Sequence, residues 1–419
     1  MNSRQTAAGI VGQWIDTGDF PDRLLGTGPD RAFVMEVVYG VVRQRRALEW
    51  MVGRYSSREP DREVWPYLLV GAYQLLMMDN VADHAALNET VEAVKTGPVK
   101  YSAGFINAIL REIQRNRDGL RKELAAQPLG TRESHPDVLV DRWTQTLGKD
   151  KTEQLCRWNN SRPDVIIHVD RRKTECQNLA TAMEAQGIIA VPHPFAPDEF
   201  LAIPHGRRIP DLPGYNEGLF SVQDPSTIVP VRLLDPRPGQ AVLDACSAPG
   251  GKTILVAERM EGKGDLIAVD LYADRIRILA ENISRMGLEN VKIVQASAIH
   301  RDEIRQAGGD RMFDRILLDV PCTNTGVLRR RPDARWRFSM ERLQEITEIQ
   351  RLILNSTASF LKPQGILVYS TCSIEPEECD RQIRSWLAGN AGFELVESVN
   401  LFPPETGTDG IYAAAIRKK

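Results

Sequence analysis

Ala241-Val242-Leu243-Asp244-Ala245-Cys246-Ser247-Ala248-Pro249-Gly250-Gly251-Lys252-Thr253 decides the fold of this 419-residue chain. It opens as a short apolar run ending in an acid, and its close begins an amphipathic stretch at 251–260. A strand, a glycine turn and a helix in that order form the first half of a βαβ unit. The glycines let the backbone approach a ligand closely, and the helix N-terminus offers unpaired N–H groups to a carboxylate or phosphate. The spacing is not that of a P-loop, which disfavours a phosphate site of that kind. Asp270 ends the next apolar run, 19 residues after Gly251, where a carboxylate can accept both hydroxyls of a ribose. Loop and acid together predict a nucleoside cofactor, with NAD and S-adenosylmethionine both open on this ground. Arg275 either braces that acid or pairs on the helix surface.

Outward from this loop, strands and helices alternate. AVLDAC (241–246), LIAVD (266–270), VKIVQAS (291–297), RILLDV (315–320) and ILVYSTCS (366–373) read as strands, with helices at 251–260, 273–286 and 339–361 between them. Such runs predict a mostly parallel, Rossmann-like α/β sheet covered on both faces. FELVES and IYAAAIRKK near the C-terminus could add closing strands. Upstream, VIIHVD (165–170) and GIIAV (187–191) read as strands flanking a helix over Thr174–Gln186, followed by a proline-rich stretch. Residues 1–122 read as a helix bundle, on stripes such as Val64, Leu68, Ala72, Leu75 and Met78 with Gly53, Pro60, Gly97 and Pro98 between stripes. His84 reads as a cap or packing residue, not a ligand. The predicted division is a helical domain at 1–122, a helical connector at 123–159, a small α+β module at 160–215 and the α/β domain at 216–419.

Two cysteines end predicted strands of that sheet. Cys322 lies in Asp319-Val320-Pro321-Cys322, followed by Thr323-Asn324-Thr325-Gly326, and Cys372 lies in Ser370-Thr371-Cys372-Ser373. Carboxyl ends of parallel strands share one crevice with the cofactor loop. A lone strand-end cysteine is usually a small buried hydrophobe, but two thiols and an acid at neighbouring strand ends fit covalent chemistry better. A thiolate can add to a pyrimidine ring and make its carbon 5 nucleophilic, so the combination points to methyl transfer onto cytosine. Residue chemistry leaves the roles of the two cysteines interchangeable. Cys246 sits where backbone contacts matter more than sulfur chemistry, and Cys156, Cys176 and Cys379 read as non-catalytic.

Composition bounds the rest. With 42% hydrophobic and 26% charged residues the chain can bury full cores. The N-terminal stretch has no apolar core of signal-peptide length, and no run nears the 18 residues or so of a membrane span. Six cysteines without a CxxC pair and six scattered histidines support neither a disulfide framework nor a metal site, and imply a reducing cytoplasm. The net charge is −3, and residues 1–122 hold 16 Lys+Arg against 15 Asp+Glu, so any nucleic-acid contact must be a local patch. The candidate is the run of Arg329, Arg330 and Arg331, continued by Arg335, Trp336 and Arg337, directly after the Cys322 loop. A second run from Arg111 to Lys122 reads as a solvated face.

DACSAPGGKT (244–253), LLDVPCTNTGVLRRRPDARW (317–336) and LVYSTCSIEPEE (367–378) resemble the signature segments of RNA cytosine-5 methyltransferases. VVYGVVR (37–43), GAYQLLMMD (71–79), HAALNETVEAVK (84–95) and GFINAILR (104–111) resemble a NusB-like domain. Together they are similar to the bacterial 16S ribosomal RNA enzymes of the RsmB/Sun/Fmu type. The resemblance spans nearly the whole chain, and its paired Pro-Cys and Thr-Cys set it apart from DNA cytosine-5 enzymes. It implies S-adenosylmethionine as cofactor, with Cys246, Ser247, Ala248, Pro249, Gly250, Gly251 and Lys252 at the methionine end. It places Asp270 at the ribose, Ser297 and Ala298 at the adenine, and Asp319 beside both cofactor and base; Arg275 joins the cofactor-binding set as a brace of Asp270. It makes Cys372 the nucleophile and Cys322 an aid to release; separately, Arg329, Arg330 and Arg331 are expected on RNA and the protein is expected to be a monomer. The family carries an acid where this chain has Ser297, which forfeits about 1–2 kcal/mol of cofactor affinity unless another group compensates. The alternatives are the same chemistry on transfer RNA or 23S ribosomal RNA, or an RNA-binding or antitermination factor with a vestigial cofactor site. A methyltransferase for protein or small molecules would have no use for two thiols.

Overall fold

The computed structural model describes residues 2–18, 20–26, 28, 30–203 and 207–419. They form two compact units. One runs to Ser161 and includes the later segment Leu328–Phe338; the other comprises Arg162–Val327 and Ser339–Lys419.

In the helical unit, Trp65–Met77 is the central helix. It is buried continuously from Pro66 to Leu76 because helices Ser3–Thr17, Arg31–Gly53, Asp83–Lys95 and Ala103–Arg115 all pack against it. A helix apolar all round has to be enclosed in this way. Gly40 permits the closest of these approaches, since a Cβ there would lie 1.9 Å from the Tyr73 ring. The enclosed polar group, Gln74, donates to Val70 O and Thr90 Oγ1 and accepts from Arg4. The five residues of the expected stripe are all buried. His84, by contrast, lies within the first turn of Asp83–Lys95 and is exposed, so it neither caps nor packs. Helices Arg117–Ala125, Leu129–Arg132, Asp137–Leu147 and Lys149–Asn160 continue the same unit, burying Leu120, Leu139, Trp143 and Leu155.

The returning segment Leu328–Phe338 is anchored by the most buried of its arginines. Arg335 is fully buried and donates to Arg43 O, Ser134 O, Asn159 O and Asn160 Oδ1 at 2.9–3.2 Å. Trp336 donates through Nε1 to Val42 O at 2.7 Å. Ser134 and Asn159 lie just beyond and at the end of a helix, where backbone carbonyls lack intrahelical partners, whereas Val42 and Arg43 lie mid-helix and their carbonyls accept through a further lone pair.

The second unit holds two sheets. The smaller comprises β1 (Val165–Val169), β2 (Val191–Pro192), β3 (Phe200–Ile203) and β4 (Phe220–Val222), all antiparallel in the order β2-β3-β1-β4. Helix Cys176–Glu184 buries Leu179 and Met183 in the module's core. The strand expected over 187–191 forms only at Val191. Gly187 has φ +69° and Ile188 N–H bonds back to Met183 O, so these residues terminate the helix in a Schellman-type turn and cannot pair.

The larger sheet comprises β5 (Ala241–Asp244), β6 (Asp265–Asp270), β7 (Val291–Gln295), β8 (Phe313–Asp319), β9 (Leu361–Thr371), β10 (Phe393–Leu401) and β11 (Ile411–Lys418). Their order is β10-β11-β9-β8-β5-β6-β7. The five strands β5 to β9 pair in parallel, and β10 and β11 add an antiparallel edge. Successive residues feed opposite cores: Leu243, Ile316 and Leu318 on one face, Val242 and Leu317 on the other. This is the mostly parallel α/β sheet that the apolar runs predicted. Helices Arg301–Gly308 and Asp380–Ala388 are additional to those read from the sequence. Strand order reverses between β5 and β8, so their loops open on the crevice where α/β folds bind ligands.

Candidate active site

The loop after β5 is tied down from below. Thr253 Oγ1 donates to Asp244 Oδ2 at 2.7 Å, while the buried Asp244 Oδ1 has no partner among the described residues. Burial pushes the Asp244 carboxyl up to about 7, against the Thr253 hydrogen bond. Gly250 turns the chain at φ +107°, and a Cβ there would lie 2.7 Å from Leu279 Cδ1. Ser247 Oγ donates to Val269 O at 3.0 Å, tying the loop to β6. Burial pushes the Cys246 thiol well above its ordinary range.

At the end of β6, Asp270 accepts the N–H groups of Ala248 at 3.1 Å and Tyr272 at 3.2 Å. Arg275 braces it, with Nη1 3.7 Å from Asp270 Oδ2 and Nη2 donating to Ala248 O. These contacts aim the carboxylate and leave lone pairs on both oxygens for further donors. At the end of β7, Ser297 and Ala298 are buried. Ser297 N–H donates to Glu303 Oε2 at 2.7 Å, and His300 Nδ1 lies 2.7 Å from Glu303 Oε1. A carboxylate therefore does reach the Ser297 position, supplied from helix Arg301–Gly308. Its only sequence signal is a glutamate three residues after the helix's N-cap.

The two thiols meet. Cys322, three residues beyond β8, and Cys372, one beyond β9, bring their Sγ atoms to 3.1 Å. Cys372 Sγ also lies 3.3 Å from Asn324 Oδ1, and Asn324 holds φ +62° with its Nδ2 donating to Cys322 O. Gly326 N–H donates to Cys372 O at 2.9 Å, and a Cβ on Gly326 would lie 2.8 Å from that same oxygen. The Cys322 sulfur and burial push the Cys372 thiol well up, Asp319 adds to this, and Lys252 opposes it. Asp319 accepts from Lys252 Nζ at 2.8 Å and from Ser370 Oγ at 3.0 Å. Burial lowers the Lys252 pKa, but the Asp319 charge and hydrogen bond more than offset it, and the ammonium is net strengthened. The loop after β5 is thereby linked through Lys252 to the acid of β8, a contact that spacing alone does not reveal.

Behind the thiols lies a carboxylate that the sequence reading missed. Glu378 is fully buried. Its Oε1 accepts from Thr323 N at 2.9 Å and Gln350 Nε2 at 3.0 Å, and its Oε2 accepts from the hydroxyls of Thr323 and Ser373. In the sequence it belongs to an acidic turn, Glu375-Pro376-Glu377-Glu378, where nothing sets it apart from its neighbours.

The arginine run lies in the helical unit. Arg329 stacks 4.2 Å from the Trp158 ring centroid, Arg330 is half-buried, and Arg331 is exposed with its guanidinium 5.9 Å from the Phe20 ring. Arg337 pairs with Asp333 at 2.6 Å. Among the described residues, no cluster of three metal-ligating side chains occurs, and no helix is long and apolar enough to cross a membrane.

A crevice that joins a nucleoside-type loop to paired thiols suits transfer to an unsaturated ring, and comparison with known proteins agrees with transferase chemistry. The family model for 16S rRNA methyltransferase RsmB/F matches residues 231–417, that of the NusB family residues 1–115, and that of the RsmF/B-like ferredoxin-like domain residues 135–201. The chain is 36% identical to ribosomal RNA small subunit methyltransferase B of Erwinia tasmaniensis, over 93% of this chain and 91% of that one. It is 34% identical to the Klebsiella pneumoniae protein of the same name, over 100% and 99%. Among solved structures, the crystal structure of PH0851 matches with a TM-score of 0.82 and 25% identity, over 100% of this chain and 99% of that one. The chain belongs to the 16S rRNA methyltransferase RsmB/F family.

Proposed function

We propose that the protein methylates carbon 5 of a cytosine in 16S ribosomal RNA, using S-adenosylmethionine and a covalent adduct between Cys372 and carbon 6. The observation that carries this reading is the pair of sulfurs 3.1 Å apart beside the Lys252–Asp319 ion pair. The donor set fits the cofactor. Asp270 can accept ribose hydroxyls, Cys246 to Lys252 can hold the methionine end, and Ser297 and Ala298 bound the adenine, with Arg275 bracing Asp270. When bound, S-adenosylmethionine supplies an electrophilic methyl group.

The target base has to leave its stack to reach these groups, at a cost of a few kcal/mol. The Cys372 sulfur adds to carbon 6 as its proton departs, and ring nitrogen 3 gains a proton through Asp319. The ring is then an enamine whose carbon 5 is nucleophilic enough to take the methyl group that the bound cofactor would supply, its methyl–sulfur bond breaking and S-adenosylhomocysteine being the leaving group. Loss of the carbon 5 proton, breakage of the carbon 6–sulfur bond and return of the nitrogen 3 proton regenerate Cys372 and leave 5-methylcytosine. One proton is released overall. Cys322 assists the release. The helical unit and Arg329, Arg330 and Arg331 contact the RNA, chiefly through phosphates and shape.

The test is methylation of unmodified 16S ribosomal RNA with labelled S-adenosylmethionine, followed by bisulfite sequencing. One cytosine should become resistant to deamination in step with label uptake. Label uptake with every cytosine still convertible would overturn the reading.

A further inference from the structure

We propose that Glu378 is a positioning residue that holds Cys322 and Cys372 at one depth in the crevice, acting through Thr323 and Ser373. The proposal rests on the reading of those two cysteines as the reacting thiols. Each thiol is followed directly by one of the residues that Glu378 binds. Thr323 offers its N–H and its hydroxyl, and Ser373 offers its hydroxyl. The fourth donor, Gln350 Nε2, also binds Pro321 O at 2.9 Å, one residue before Cys322. Tyr369 completes the frame, its hydroxyl lying 2.7 Å from Glu378 O and 2.9 Å from Gln350 Oε1. One buried side chain thus bridges the loops after β8 and β9 at the residues that set their sulfurs.

Among the described residues, only neutral donors are hydrogen-bonded to this carboxylate, and no cation is. Burial raises its pKa and those donors pull it back part of the way. Placing such a group out of water is expensive unless every lone pair is used, and a solvated acid in this turn would avoid the cost. The arrangement is understandable if the bridge itself is what the site needs.

The geometry distinguishes the bridge from the charge. The donors on Oε1 are fixed N–H groups, but those on Oε2 are hydroxyls that can rotate to accept. A glutamine fits with its oxygen toward Thr323 N and Gln350 and its amide nitrogen toward the two hydroxyls. Glu378→Gln should therefore keep the bridge and lose only the charge, whereas Glu378→Ala loses both.

Two measurements on the full-length protein test this. In the first, kcat for RNA methylation and the Kd for S-adenosylmethionine are compared across wild type, Glu378→Gln and Glu378→Ala. A displacement near 1 Å at a reacting atom costs about 100-fold, so Glu378→Ala should lose that order of kcat with cofactor affinity unchanged, and Glu378→Gln should recover most of it. In the second, which needs neither RNA nor cofactor, diamide takes the two thiol hydrogens and two electrons from neighbouring cysteines. The Cys322–Cys372 disulfide is then quantified by mass spectrometry. Wild type and Glu378→Gln should close it at similar rates, and Glu378→Ala markedly more slowly. If Glu378→Ala does not fold, Ser373→Ala removes one strut and should slow closure in the same sense. Equal damage from Gln and Ala would overturn the proposal by showing that the charge matters, and so would an unchanged disulfide rate in Glu378→Ala. If wild type methylates no cytosine while its disulfide rate still depends on Glu378, the reaction reading fails and the positioning claim stands.

Discussion

A thiol attacks a pyrimidine only as its thiolate, and Cys372 is held in its protonated form by its neighbours. The first cause is the Cys322 sulfur, followed by burial. Below the pKa of Cys372, the reactive fraction rises tenfold per pH unit, so kcat/KM should climb with pH through the neutral range with a slope near one. Removing the main upward cause should lower that pKa. Cys322→Ala is therefore expected to shift the pH profile of Cys372 alkylation to lower pH, read by mass spectrometry after short exposure to iodoacetamide. An unshifted profile would mean that burial alone holds the proton. The same variant separates the two roles in the reaction: Cys322→Ala should trap a protein–RNA adduct stable to denaturing electrophoresis, and Cys372→Ala should form none. Asp244 gives a different signature. Its carboxyl sits near 7 when folded and near 4 when unfolded, so the folded state binds the extra proton. Its destabilising effect is absent below pH 4, grows as pH rises toward 7 and is constant above. Asp244→Asn should accordingly lose less melting temperature between pH 5 and pH 8 than wild type.

At the scale of elements, periodicity located the five parallel strands and three of the helices between them, because each is an apolar run or stripe bounded by glycine or an acid. What it did not show follows from physics that acts across elements. GIIAV has strand composition, but Gly187 and Ile188 satisfy the carbonyl end of the preceding helix. Glu378 does not stand out in its acidic turn because its partners lie 28, 55 and 5 residues away. Cys322, Cys372, Asp319 and Lys252 were each visible as strand-end or loop residues, but the Lys252–Asp319 pair required the sheet order. Ser297 looked like a lost acid because Glu303, which brings a carboxylate to its N–H, is on the next helix. Ser297→Asp would place a second carboxylate beside Glu303, and like charges so close disfavour each other. The expected result is no gain in S-adenosylmethionine affinity by calorimetry, and an improvement only when combined with Glu303→Gln. A gain in the single variant would show that Glu303 does not occupy that position in solution.

At the scale of the molecule, a chain with net charge −3 has to bind RNA through local charge, since its overall field repels phosphate. The run at 329–337 combines two roles that its composition could not separate. Arg335 is a structural member, buried against four carbonyl-type oxygens in the helical unit, and Arg329 stacks on Trp158. Truncating Arg335 to alanine strands those acceptors, which costs about 1–3 kcal/mol for each buried group left unpaired, so the helical unit should melt at visibly lower temperature. Arg331 is exposed and can swing onto a phosphate without disturbing the core. The two substitutions should therefore fail in opposite ways. Arg331→Ala should leave the melting temperature alone, weaken RNA binding, and reduce the slope of log affinity against log salt by about 0.7–0.9, the value for one lost phosphate contact. S-adenosylmethionine affinity should not move. A salt slope equal to that of wild type would take Arg331 out of the RNA interface and leave phosphate contact to other basic residues.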